Sequence, residues 1–173
     1  VAIEEAVSFA ELNAVAEKIF EGKEKRYFYQ LVWKFNILSR IASELSKQDC
    51  FPNNSFETNI NKFLDKTNAT NAYESITKKI SDFVAGANLK MEAKIGETPI
   101  SLNLEAKNNS PIQTINLESL QSDISNAIRA RGFKKALVII DKIDKFVAGT
   151  DYIIQKEYIS SLIDVDDDMF SDK

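Results

Sequence analysis

Apolar residues recur three or four apart through the first half of the chain, the spacing of one helical face. Ser8 and Glu11 form a capping box at the start of a helix predicted from Phe9 to about Glu21, ended by Gly22, with Leu12, Val15, Ala16, Ile19 and Phe20 inward. A longer helix is predicted from about Lys23 to Lys47, where Tyr27, Leu31, Phe35, Leu38, Ala42 and Leu45 form the stripe. Phe28, Trp33 and Ile41 widen it, so this helix is expected to pack on more than one side and to be central or sheet-covering. After a break containing Pro52, shorter helices are predicted from about Phe56 to Lys66 and from about Ala72 to Val84.

From Asn88 the period falls to two. Leu89, Met91, Ala93 and Ile95 alternate with charged residues; past Gly96-Glu97, Ile100, Leu102, Leu104 and Ala106 alternate with polar ones. This predicts a β-hairpin with one apolar face, at a sheet edge or as a projecting flap. Lys107 to Pro111 reads as a polar turn, and a helix from about Leu117 to Arg131 closes at Gly132. The unbroken run Ala136 to Ile140 then predicts a strand buried on both faces, of the parallel type. A last helix, capped by Thr150 or Asp151, is expected over Tyr152 to about Ile163. The class is α/β, helix-rich, with a small sheet: residues 1–163 as one domain and 164–173 as a frayed acidic tail.

A net charge of −4 disfavours a general nucleic-acid binder. One cysteine, Cys50, excludes an internal disulfide and makes a cytoplasmic location the expectation; no apolar run is long enough for a membrane span. Histidine is absent, which removes Ser-His and Cys-His catalysis and His-based zinc sites. The chain starts Val-Ala-Ile and stops in an acidic string, so both ends read as cut from something longer.

The stretch with most chemical content is Lys135 to Phe146, KALVIIDKIDKF, in which the aliphatic run ends on Asp141 with a second acid at Asp144. A stiff strand that presents a carboxylate at the edge of a phosphate site is the Walker B arrangement, in which the acid binds Mg²⁺ directly or through water. Val138-Ile139-Ile140-Asp141-Lys142-Ile143-Asp144-Lys145-Phe146 resembles the Walker B segment of prokaryotic P-loop ATPases of the KAP-like and multidomain signal-transduction kind. That resemblance implies Mg²⁺ and ATP as cofactors of the intact module, Asp141 as the metal-binding acid and Asp144 as the candidate catalytic residue. Two departures matter. Lys142 stands where active members carry the acid that polarises water, and none of the five glycines belongs to a G-x-x-x-x-G-K-[ST] loop. The implied role is therefore the central part of a P-loop NTPase module without its own phosphate loop, not expected to hydrolyse ATP alone. Read without the resemblance, the same stretch is a core strand whose terminal Asp favours a turn.

Three other features carry competing readings. Lys23, Lys25, Arg26 and Lys34 interleaved with Tyr27, Phe28, Tyr29 and Trp33 have the composition of a single-strand binder, against the simpler reading of a solvated first turn followed by buried rings. Asp164, Asp166 and Asp168 stand at EF-hand spacing, but Met169 occupies the position that requires Gly. Cys50 has no His partner, so a catalytic thiol is disfavoured. The alternative to the NTPase reading is a non-enzymatic α/β interaction domain, with a protein partner expected in either case.

Overall fold

A computed structural model describes residues 2–3, 16, 23–47, 55–67, 89–104, 112–134, 136–140 and 151–170. Within them the chain is helix-rich α/β. In order come β1 (Ala2–Ile3), α1 (Lys23–Ser46), α2 (Ser55–Thr67), β2 (Leu89–Ile95), β3 (Thr98–Leu104), β4 (Gln113–Asn116), α3 (Leu117–Ala130), β5 (Ile139–Ile140) and α4 (Tyr152–Phe170). The predicted helices over 9–21 and 72–84 lie outside the described residues, except that Ala16 is helical and buried. The predicted turn over 107–111 lies outside them as well.

α1 is the axis of the molecule. Every residue from Phe28 to Ser39 is buried, so the helix is enclosed on all sides over several turns. It packs against α4, α2, α3 and the sheet. Trp33, Tyr29, Phe28 and Phe35 are among the largest fully buried side chains, each contributing about 2–3 kcal/mol of transfer free energy. Tyr158 of α4 meets Trp33 with ring centroids 4.7 Å apart and Tyr29 edge-on at 5.3 Å.

The three-stranded sheet has the order β3-β2-β4, with β2 antiparallel to β3 and parallel to β4. The hairpin register, Ile95 opposite Thr98 through Leu89 opposite Leu104, follows from the two-residue Gly96-Glu97 loop. Gly96 takes φ +59, the left-handed value such a loop needs at its first position. The hairpin lies at the sheet edge through β3, one of the two expected placements, while β2 is the central strand; the hairpin's apolar face (Met91, Ala93, Ile100) joins Ile115 of β4 in the core. Pro99, which has no N–H to donate, sits on β3, whose outer edge pairs with no described strand.

β4 leads directly into α3 through Asn116, whose side-chain oxygen accepts from Ser119 N–H at 2.9 Å. α3 ends in a Schellman motif, with Gly132 at φ +75 bonding the Arg129 carbonyl and Phe133 bonding that of Ile128. β5 pairs in parallel with β1, Ala2 opposite Ile139 and Ile3 opposite Ile140. The expected burial on both faces does not hold. Val138 and Ile140 pack against the core, whereas Leu137 and Ile139 are 73% and 54% exposed. One row of side chains here thus faces the core and the other faces outward.

α4 also departs from expectation. Asp151 caps it, accepting from Ile153 N–H at 2.8 Å, but the helix runs on through Phe170 instead of fraying at Asp164.

Candidate functional site

β5 ends at Ile140, so Asp141 follows directly on a parallel strand pair. The two sequence-predicted site residues, Asp141 and Asp144, lie outside the described residues, as do Lys142 and Cys50.

The most connected polar centre among the described residues is Lys34, which sequence reasoning placed in a possible cationic surface. Its side chain is fully buried in the middle of α1. Three acceptors surround Nζ: the Lys94 carbonyl oxygen at 2.7 Å, Glu118 Oε1 at 2.6 Å and Asp168 Oδ2 at 2.9 Å. The carboxylates are themselves tied to backbone, Glu118 accepting from Lys94 N–H and Asp168 from Gly96 N–H, both at 2.7 Å. α1, β2, α3 and α4 thus converge on one amine. With every donor taken, this lysine has nothing left to offer a substrate, and the arrangement is architectural. Its sequence signal was a lone cation inside the apolar run Leu31-Val32-Trp33-Lys34-Phe35; its partners were not visible there because they lie 84 and 134 positions away.

One helical turn along, Asp164 receives a forked contact from Arg26 at 2.7–3.0 Å and the Gln30 amide at 2.6 Å. Two sequence-derived alternatives lose support here. Phe28, Tyr29 and Trp33 are buried and Tyr27 is half-buried, so three of the four rings offer no face for base stacking. Asp164, Asp166 and Asp168 lie on a continuous helix rather than a loop, and two of them hold cations of the chain itself; among the described residues no group of three or more acids, Cys or His is arranged for a metal.

Tyr158 makes a poor general base. Burial, with Tyr29 beside it, pushes its phenol far above the ordinary value of 10. Its backbone carbonyl accepts from Trp33 Nε1 at 3.1 Å. A second buried ion pair, Arg131 with Glu57 at 3.5 Å, ties α2 to the end of α3.

Among the described residues, open clefts border the sheet. One of about 480 Å³ is bounded by Glu92, Lys94, Ser101 and Glu118, and one of about 220 Å³ by Lys62, Lys66, Asn116 and Asp123. Each mixes both signs of charge, so neither presents the one-signed field that draws in a charged ligand. No family model matches the chain, and the comparisons find no similar curated protein and no similar solved structure.

Proposed function

We propose that this chain is the central part of a P-loop NTPase module in which Mg-ATP acts as a conformational switch, the phosphate loop coming from outside these 173 residues. The observation that carries the reading is the parallel pairing of β5 with β1, after which Asp141 is the next residue. Open α/β sheets bind ligands at the carboxyl ends of their parallel strands. Asp141 holds Mg²⁺ there and Asp144 serves as the second acid; hard carboxylate oxygens are the donors this ion takes. Lys142 cannot polarise water as a base in the usual position, so turnover is slow or depends on another acid. The single cysteine accords with a cytoplasmic setting, and among the described residues no helix is long and apolar enough to cross a membrane.

The test is Mg-dependent ATP binding and hydrolysis, measured on this chain and on a polypeptide that joins it to its phosphate loop. The chain alone is expected to bind weakly and turn over nothing; the joined form is expected to lose at least about a hundredfold in hydrolysis on Asp141→Ala. Tight Mg-ATP binding that ignores this substitution overturns the role of Asp141.

A second reading, a non-enzymatic interaction domain, is favoured by the exposed apolar residues Phe133, Leu137 and Ile139. Under it, Leu137→Asp abolishes partner binding and Asp141→Ala does not.

A further inference from the structure

β3 is the open edge of the three-stranded sheet: β2 pairs with it on one side, and no described strand pairs with it on the other. Which of its backbone groups point outward follows from Lys94. The N–H of that residue donates to Glu118 and its carbonyl oxygen accepts from Lys34 Nζ, so Lys94 exchanges no hydrogen bond with its register partner Pro99. Bonded and non-bonded pairs alternate along an antiparallel ladder. Glu92 with Ser101 and Lys90 with Asn103 are therefore non-bonded pairs too. The backbone N–H and carbonyl groups of Ser101 and Asn103 face out of the sheet edge, and both residues are exposed.

Such edges are normally blunted by charge, above all by lysine. β3 carries no charged residue, in a chain of which 28% of the residues are charged, while β2 beside it carries Lys90, Glu92 and Lys94. Its one guard is Pro99, near the start of the strand.

We propose that β3 is a self-association edge, which pairs antiparallel with β3 of a second copy and makes one continuous sheet across both. The strand is complementary to itself. With Leu102 opposite Leu102 about a two-fold axis, Ser101 of each copy stands opposite Asn103 of the other, and each such pair exchanges both backbone hydrogen bonds. No like charges meet across the seam. Pro99 selects this register, because a slip by two residues sets it opposite Asn103, whose carbonyl then finds no N–H. A partner of different sequence finds no charge on β3 to recognise, whereas a second copy needs none. The proposal does not depend on the nucleotide reading.

Sedimentation equilibrium of the whole chain, with amide exchange read residue by residue, tests it. An edge pairing belongs to the weak class of interfaces, so the mass is expected to rise from one chain to two between about 1 μM and about 1 mM. Over the same range exchange at Ser101 and Asn103 is expected to slow by at least about tenfold, while Ile100 and Leu102, already bonded to β2, change by less than about twofold. Ser101→Pro deletes an outward N–H without touching the β2 ladder and is expected to weaken dimerisation by at least about tenfold; Ser101→Ala, which keeps that N–H, leaves it within about threefold. The proposal is overturned if the chain stays single up to about 1 mM, which leaves the edge to an extended segment of another protein. It is equally overturned if the chain dimerises with exchange at 101 and 103 unchanged, and this arm decides even where the proline variant does not fold.

Discussion

Tyr158 shows how one side chain sets a limit on the whole fold. Its phenol sits between Trp33 and Tyr29 in a site that disfavours the charged form. A group whose pKa is raised by folding contributes stability that is complete below its unfolded value, here 10, and is lost as pH climbs toward the higher folded one. Denaturant midpoints measured from pH 8 to pH 11.5 are therefore expected to fall above about pH 10, and Tyr158→Phe to fall less steeply across the same window. An equal slope in both proteins excludes Tyr158 as the cause. Lys34 illustrates the other side of residue-scale reading. A lysine flanked by Trp33 and Phe35 looks like a surface cation with aromatic neighbours, and becomes intelligible only when Glu118 and Asp168 arrive from distant elements.

At the scale of elements, what the sequence revealed was what local physics controls. α1 follows from its repeating apolar positions, and the hairpin from strict alternation around Gly96-Glu97. Gly96 has nothing within 4 Å of where a Cβ would stand, so Gly96→Ala isolates the cost of the left-handed backbone. That substitution is expected to destabilise by about 1 kcal/mol in urea unfolding with an unchanged m-value. A neutral result rules out a strained loop residue. β4 was not legible, since four residues with one buried aliphatic, Ile115, are too short to show a period; their extended form comes from pairing with β2. The end of α4 was misread because its acids contradict helical propensity locally and are answered by Arg26 and Lys34 more than a hundred positions earlier. The exposed row of β5 was misread for a related reason: an unbroken aliphatic run says that a strand is apolar, not that both faces are covered.

Among the described residues, the buried apolar side chains of α1 to α4 and of the three-stranded sheet, with Ala16, belong to one cluster to which α1 contributes most. A shared core of this kind unfolds as a unit. Trp33 is the chain's only tryptophan and stacks on Tyr158 of α4, so its emission is sensitive to the contact of α1 with α4. Urea curves from Trp33 fluorescence and from far-UV circular dichroism are expected to coincide; an earlier fluorescence transition would mean that α4 departs from α1 before the core is lost. The reading of Asp141 and Asp144 comes from the sequence motif alone, and what the fold adds to it is the parallel pairing of β5 with β1 that ends at Ile140.

The β1 to β5 pairing also has a consequence for synthesis. Ala2 emerges from the ribosome well ahead of its partner Ile139, which lies 137 residues further along the chain (139 − 2). At about 5–20 residues per second that interval is roughly ten seconds. The hairpin, by contrast, closes in about 1–10 microseconds once both its strands are free. For those seconds the first strand is an unmatched β-edge on a nascent chain, open to chaperones and to neighbouring polypeptides alike, and the final seal of the fold is a late, long-distance event.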